Sequence, residues 1–240
     1  MAIAFVGAGS GVERLTAGTV AVSKATCTAG NLIVIHTFFN GDTGDGGATN
    51  FSNISGLDGV LNDTTSVINA VNRQVMLGRV TADGTCGCDL LIGASGDDGV
   101  ARIYEFSGVS TSTTLANVVE NGSGTNVEGG FSASTTVADA GVTTNGANRL
   151  ALNFVCVRST PAIGAFTGMT GGTWAEAVAE YIGTTIKIQL QTATMASAGV
   201  IDGGTISITS AYWITIGTAL IPFVASGTQG PGRLLMLGVG

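Results

Sequence analysis

The clearest alternation of apolar and polar side chains lies near the end of the chain, in Thr205–Ile216. Successive side chains of a β-strand point to opposite faces, so this stretch has one mainly apolar face and one mostly hydroxyl-bearing face. The pattern is typical of a half-buried antiparallel strand, and it predicts a long, late strand against which earlier strands pair. The apolar face is Ile206, Ile208, Tyr212, Ile214 and Ile216, and the opposite face is Thr205, Ser207, Thr209, Trp213 and Thr215.

Other segments are predicted as strands by the same reasoning. Leu32–Phe39 is apolar on both faces, which indicates a strand in the middle of a sheet. Ala175–Ile182 fits either a short helix or a strand, and propensity alone favours the helix. Arg149–Arg158 places Leu150, Leu152, Phe154 and Cys156 on one face, so Cys156 is interpreted as a small core residue. The remaining predicted strands are Leu15–Thr26, Gln74–Thr81, Ala101–Phe106 and Thr184–Thr194.

The segments between these strands are rich in glycine and polar residues. Asn40–Asn53 is predicted to be a loop. Asp42 and Asp45 within it offer oxygen ligands that calcium accepts, but the EF-hand spacing and its terminal Glu are absent, so a solvated loop is favoured. Gly84–Cys88 is predicted to be a turn, and Val109–Ser134 a long polar excursion.

These segments predict one all-β domain, an antiparallel β-sandwich over residues 15–222 with extended arms at both ends. The N-terminal arm covers residues 1–14. Its glycine cluster Gly7–Gly11 lacks the GxGxxG spacing and the following helix of a dinucleotide-binding turn, so we expect a flexible arm. The C-terminal arm, residues 223–240, is apolar and interrupted by glycine, and we expect it to dock on a neighbouring subunit.

The composition adds one feature, which is a scarcity of charge. Charged residues make up 10% of the 240 residues, whereas about 25% is ordinary for soluble domains. Few charges suit a surface that other protein covers, so we expect an assembled protein. A net charge of −7 with scattered Lys and Arg argues against binding nucleic acid. No segment approaches the roughly 18 apolar residues of a membrane span.

The four cysteines are Cys27, Cys86, Cys88 and Cys156. The first residues lack the basic and apolar regions of a signal peptide, so we expect the chain to stay in a reducing cytoplasm with its thiols reduced. Cys86 and Cys88 are separated by one residue, which makes them poor disulfide partners for each other and poor zinc ligands. We interpret them as turn thiols.

No residue pattern indicates catalysis or a cofactor. His36, the only histidine, lies inside an apolar run, where a buried histidine is expected rather than a general base. Asp97 and Asp98 are adjacent in a predicted turn, and no nucleophile elbow, P-loop or zinc spacing occurs. We expect no catalytic, cofactor-binding or metal-binding residues. No spacing joins the carboxylates that glycoside hydrolysis would need in a pair, namely Glu105, Glu120, Glu128, Glu176 and Glu180.

The order of several motifs resembles a known family. Ala29–Leu32 matches a turn that precedes a strand in β-sandwich domains of phage virion proteins, and Phe106–Val109 matches the aromatic–Ser–Gly–Val step that ends another strand. A glycine-rich loop with Trp174 and the ending ISITSAYWITIGTALIP follow in the same order. The resemblance covers residues 15–222 and is to head-decoration, cement and tail-fibre proteins. It implies a jelly-roll-like sandwich on the exterior of a phage particle, made in the host cytoplasm, without catalytic residues.

Three functions stay open at this point. A capsid decoration or cement protein is favoured, because repeats and heptads are absent; it would form a homo-oligomer such as a trimer and stabilise the head by binding the major capsid protein. A tail or fibre adhesin that binds host glycan would need exposed aromatic rings, and Trp174 and Trp213 are the candidates. For Trp213, packing against a second sheet or a neighbour is the alternative. The third function is a self-assembling surface-layer or filament subunit.

Overall fold

The structure, a computed structural model, describes residues 2–16, 18–40, 50–68, 71–92, 98–120, 127–158 and 163–224. In these ranges the only helical element is the short 3-10 helix Leu115–Asn117, and no helix is long and apolar enough to cross a membrane. The strands are β1 (Ala4–Ala8), β2 (Val12–Arg14), β3 (Gly18–Cys27), β4 (Leu32–Asn40), β5 (Asn50–Ser55), β6 (Leu57–Ile68), β7 (Val71–Val80), β8 (Gly84–Ile92), β9 (Asp98–Ser107), β10 (Val119–Glu120), β11 (Val127–Ala138), β12 (Val142–Thr144), β13 (Arg149–Arg158), β14 (Ala175–Ile182), β15 (Lys187–Met195), β16 (Gly199–Ile201) and β17 (Thr205–Leu220).

Two six-stranded antiparallel sheets form the centre of the molecule. Sheet 1 has the order β1–β9–β4–β7–β6, with β2 also paired to β9. Sheet 2 has the order β10–β17–β13–β15–β14, with β11 also paired to β17. A three-stranded outer sheet, β3–β8–β5, and a two-stranded ribbon, β12–β16, complete the fold. The predicted all-β antiparallel sandwich is therefore confirmed.

Sheets 1 and 2 face each other across an apolar interior. Alternate residues of β4 and β9 on sheet 1 contact alternate residues of β13 and β17 on sheet 2, as the two-residue period of a strand requires. The predicted inward face of Arg149–Arg158 is confirmed, and Cys156 is a buried core residue at one end of this interior. The main contributors are Leu32, Val34, Tyr104 and Phe106 from sheet 1, with Leu152, Phe154, Leu190 and Ile216 from sheet 2.

The outer sheet covers the second face of sheet 1. Ile33, Ile35 and Ile103 point away from sheet 2 and pack against Val22 and Leu90 of the outer sheet. Strand β4 lies between β9 and β7, so it is buried on both faces and paired on both edges. This arrangement explains why Leu32–Phe39 is apolar throughout, and it confirms the predicted position in the middle of a sheet.

The β12–β16 ribbon and residues 163–174 together cover the second face of sheet 2. We call this layer, the ribbon and residues 163–174, the cover. Phe166 and Trp174 of the cover pack against Ala151 and Val155 of β13. A side chain at Gly217 would collide with Gly141 and Val142, so glycine at this position lets the ribbon lie directly on the sheet.

Strand β17 departs from the simple alternation predicted for it. Tyr212 of the predicted apolar face is 45% exposed, whereas Ala211 is buried and Trp213 packs against the cover. Pairing with β11 shifts register on both sides of Ser134, and such bulges change which face a side chain occupies. The last part of the strand is buried on both faces, including Thr215, because the cover lies on it.

Some loop predictions were wrong, and the structure resolves the choice between helix and strand that the sequence leaves open for Ala175–Ile182. Gly84–Cys88 is the beginning of strand β8 rather than a turn, and it pairs with both β3 and β5. The polar segment Val109–Ser134 contains β10 and part of β11. Ala175–Ile182 is a strand at the edge of sheet 2, because pairing with β15 outweighs its helix propensity.

The N-terminal segment differs from the flexible arm that we expected. Residues 4–14 form β1 and β2 on the edge of β9. The Glu13 carboxylate accepts backbone N–H groups of Thr184, Thr185 and Ile186, the latter two at 2.9 and 3.2 Å, so this segment connects sheet 1 to the β14–β15 turn. The expected docking of the C-terminal arm falls mainly on residues 225–240, which lie outside the described residues, as do Asp42, Asp45 and Asp97.

Candidate functional sites

The only histidine lies in the sandwich interior. His36 is fully buried between sheets 1 and 2, and its ring centroid is 4.7 Å from that of Phe154. The predicted burial of this residue is confirmed. A group enclosed in this way has no access to a substrate in solution.

Of the five glutamates considered as carboxylate pairs, Glu176 and Glu180 share strand β14, where the backbone N–H of Glu180 donates to Glu176 Oε1 at 3.1 Å, and the other three lie on separate strands. Glu105 and Glu120 are each buried in a separate ion pair, with Lys24 and Arg149 respectively, both at 2.6 Å. Glu180 accepts the backbone N–H of Ile163 at 2.8 Å, and the others lie on β11 and β14: Glu128 and Glu176. Asp98 begins β9. Among the described residues, no three His, Cys, Asp or Glu side chains form a group that could hold a metal ion.

The cysteines differ from the sequence interpretation. Cys27 at the end of β3 is joined by a disulfide to Cys86 on β8, across a Cα–Cα distance of 6.4 Å. The expectation of a reduced turn thiol at Cys86 is therefore wrong. Strand β8 begins at Gly84, so Cys86 belongs to the strand and lies opposite β3. Cys88 and Cys156 are buried thiols.

A group of polar residues lies close to Cys27 along the chain, and we call Lys24, Thr28, Asn31 and Glu105 the Glu105 knot. The carboxylate of Glu105 accepts hydrogen bonds from Lys24 Nζ (2.6 Å), the backbone N–H of Thr28 (2.8 Å) and Asn31 Nδ2 (2.7 Å). Burial alone would raise the pKa of Glu105, but these hydrogen bonds outweigh it and hold the pKa below its usual value. The charge is thus compensated where the side chain has no exposure to solvent.

The knot joins two segments that the sequence presents as separate motifs. The turn at Ala29–Leu32 contains Gly30, whose φ of 82° favours glycine, and it delivers Asn31 to Glu105 on β9. Sequence reasoning singled out both the turn and the strand but not the contact between them, since 74 residues separate Asn31 from Glu105. The only sign of this contact in the sequence was a charged residue, Glu105, among the apolar residues of its strand.

Neither tryptophan is fully exposed to solvent. Trp174 is 4% exposed, and its Nε1 donates to Asp139 Oδ2 at 2.8 Å. Trp213 is half-buried against the cover. The packing interpretation of Trp213 therefore holds, and the exposed aromatic platform that a glycan-binding adhesin needs is not formed by these two side chains.

Asp139 beside Trp174 is a buried carboxylate without a cationic partner. It is 3% exposed, and its Oδ1 has no hydrogen-bond partner. Burial raises the pKa of Asp139, and the nearby charge of Asp202 raises it further, while hydrogen bonds from Trp174 and from the backbone of Gly204 and Gly203 oppose both effects.

Amide side chains are buried between sheet 2 and the cover. Gln191 Nε2 donates to Gln189 Oε1 at 2.7 Å and to Gly164 O at 3.3 Å. Asn153 lies opposite Gln191 on the neighbouring strand. Both polar atoms of Asn153 and the Oε1 of Gln191 have no hydrogen-bond partner, which is costly in an enclosed position.

The solvent-facing side of the outer sheet is nearly uncharged. The side chains that β3 contributes to this face are small. Among the residues of this face named here, the one ionisable side chain is Asp89, whose carboxylate accepts a hydrogen bond from Asn53 Nδ2 at 2.7 Å. Leu91 is 43% exposed there. The other residues of this face, taken from the register of the three strands, are Thr19, Ala21, Ser23, Ser52, Ser55 and Gly87. A face of this kind suits contact with another protein, because charged residues are depleted at the centres of interfaces.

Comparisons of the chain with models of protein families, with curated proteins and with solved structures found no match.

Proposed function

We propose that this protein is a non-enzymatic virion structural protein, a decoration or cement protein that oligomerises on a phage head and stabilises it. The observation that carries the proposal is the nearly uncharged, solvent-facing side of the outer sheet, on a chain with only 10% charged residues. The all-β sandwich is compatible with the jelly-roll-like domains that the sequence resembles.

The proposed mechanism is mechanical. Central sheets that are buried on both faces give a rigid body, and such a body can hold contact surfaces at fixed positions. Binding several major-capsid subunits at once stabilises the assembled state by mass action, and repeated weak contacts add up through multivalency. Reaction chemistry is not needed for this role.

Immunogold labelling of virus particles from the organism that carries the gene tests the location. Label over the head supports the proposal. Label at the tail tip would favour the glycan-binding adhesin instead, and particles without label would favour a self-assembling surface-layer or filament subunit. Antibody that has been pre-absorbed with the purified protein is the control.

A charge placed on the uncharged face tests the contact surface. Ala21→Lys places a cation opposite Asp89, so the fold is not expected to suffer. We expect this variant to lose self-association in a native mass measurement and to label heads less. The matched control is Ala196→Lys in an exposed bend. Equal assembly of both variants and the parent chain would contradict the proposed surface.

A further inference from the structure

The disulfide lies within the segment that the Glu105 knot organises. Cys27 follows Lys24 by three residues and immediately precedes Thr28, and both of these residues donate to Glu105. The Sγ of Cys27 is 3.5 Å from the carbonyl oxygen of Lys24. The polar contacts therefore fix the backbone on both sides of one of the two bonded cysteines.

Strand pairing alone does not place Cys27. The pairing of β3 with β8 runs regularly from Gly18 to Lys24, where Lys24 lies opposite Cys86. It then shifts register before Cys27, which lies opposite Gly84. Since the ladder is irregular at this point, the position of Cys27 depends on the residues around it, and three of these donate to one carboxylate.

We propose that Glu105 is a positioning residue for oxidation of the protein: it holds Cys27 beside Cys86 once the outer sheet has met sheet 1, so that the disulfide forms in the folded chain and with this pairing. The knot would then be a template that acts before the covalent bond exists. Oxidation afterwards cross-links β3 to β8 within the outer sheet.

The competing thiol is Cys88, which lies two residues from Cys86 on the same inward face of β8. Burial raises the pKa of Cys88 to about 12, and the charge of Asp89 adds to this effect. Since the thiolate is the reactive form in disulfide exchange, Cys88 competes poorly once the fold has formed. Before folding, neither that protection nor the contacts of Glu105 exist, so the correct pairing is expected only when oxidation follows folding.

The chemistry requires an oxidant, and a small-molecule disulfide such as oxidised glutathione supplies it. One protein thiolate attacks a sulfur of the oxidant, forms a mixed disulfide and releases one glutathione thiolate. The second protein thiolate then attacks the protein sulfur of the mixed disulfide and expels the second glutathione. The two cysteines lose two protons and two electrons, and one oxidised glutathione becomes two reduced molecules.

Oxidation kinetics of the reduced, folded chain test the proposal. Purified protein is reduced, freed of reductant under native conditions and mixed with oxidised glutathione. Remaining thiols are alkylated at intervals and counted by intact mass, and peptide mapping identifies the pairing. The parent chain should finish with Cys88 and Cys156 alkylated. Glu105→Gln should form the Cys27–Cys86 bond about tenfold more slowly, with part of the product paired through Cys88.

Glu120→Gln is the matched control, because it removes the carboxylate of the other buried ion pair, which belongs to sheet 2 and not to the outer sheet. It should oxidise at the parental rate, although it also loses stability. If Glu105→Gln does not fold, Asn31→Ala removes one of the three donors and should slow oxidation to a smaller extent. Folded Glu105→Gln or Asn31→Ala chains that oxidise at the parental rate, or a parent chain that pairs other cysteines, would overturn the proposal.

Discussion

The outer sheet and the cover perform the same structural task on opposite sides of the sandwich, but they are attached differently. Each buries the second face of a central sheet. The outer sheet is joined to β9 by a compensated ion pair, and its strands β3 and β8 are cross-linked by a disulfide. The cover is attached by apolar contacts and by hydrogen bonds that include no ion pair among the described residues, and buried polar atoms of Asn153, Gln191 and Asp139 have no hydrogen-bond partner.

This difference shows what decides whether a buried polar group stabilises a fold. Glu105 and Asp139 are both carboxylates with almost no exposure. Glu105 receives three donors, one of them cationic, whereas Asp139 has only neutral donors, the Trp174 indole and the backbone of Gly203 and Gly204, beside an unpartnered oxygen and a neighbouring acid. Only the outer-sheet side offsets the cost of burying a carboxylate with an opposite charge. We therefore expect the cover to be the more weakly attached layer.

Removing the disulfide should have the largest effect on stability. Its cysteines are 59 residues apart, and a cross-link over such a loop stabilises by about 4 kcal/mol, mainly by restricting the unfolded chain. Cys27→Ser with Cys86→Ser should lower the free energy of unfolding in denaturant by about this amount. Cys88→Ser in the same assay is the control. An unchanged free energy of unfolding in the double variant would contradict the expected contribution of the disulfide to the outer sheet.

Replacing the Asn153 amide, which lies under the cover without a hydrogen-bond partner, should raise the free energy of unfolding, by less than removal of the disulfide lowers it. Asn153→Leu keeps the approximate shape and removes two polar atoms that make no hydrogen bond. We expect the free energy of unfolding to rise by about 1–2 kcal/mol. Asn117→Leu, at an exposed residue whose amide donates to Ser112, is the control and should give no gain. Destabilisation by Asn153→Leu would show that the amide has a partner in solution.

The smallest expected effect is a pH dependence that separates the two carboxylates. The pKa of Asp139 is raised in the folded state, mainly by burial, so the folded chain binds this proton more tightly than the unfolded chain. The loss of folding stability caused by ionised Asp139 is absent below the pKa that this group has in the unfolded chain. It grows as pH rises through the pKa of the folded chain. Asp139→Asn should therefore gain stability over the parent chain as pH rises, until the difference levels off.

The stability contributed by Glu105 depends on pH in the opposite direction from that of Asp139. Its folded pKa is lowered, so its stabilising contribution is present above the unfolded pKa and is lost as pH falls through the folded value. Melting temperatures of the parent, Asp139→Asn and Glu105→Gln chains across the acidic range measure both trends. Parallel curves for all three chains would show that neither carboxylate changes its pKa on folding.

The sequence predicted the strands that dominate the core, because their side-chain pattern repeats without interruption. Leu32–Phe39 is apolar on both faces since it has a layer on each side, and Arg149–Arg158 shows its buried face directly. These signals are local, and no partner strand is needed to recognise them. The alternation in Thr205–Ile216 predicted a strand but not its bulge, since the bulge depends on the register with β11.

The elements that the sequence missed depend on contacts between distant residues. Gly84–Cys88 has the composition of a turn, and only pairing with β3 and β5 makes it a strand. The disulfide follows from that pairing, so it was missed for the same reason. The Glu105 knot is of the same kind, because Lys24, Asn31 and Glu105 carry no common motif and meet only after the sheets have assembled.

The short N-terminal strands have a practical consequence for handling the protein. Strands β1 and β2 occupy the outer edge of β9, so the backbone N–H and C=O groups of that edge are paired within the molecule. Proteolysis that removed the first 14 residues would leave those groups open, and an open edge recruits strands from other molecules. A purification tag added before Ala2 leaves the edge closed, whereas a shortened recombinant chain is expected to aggregate through it.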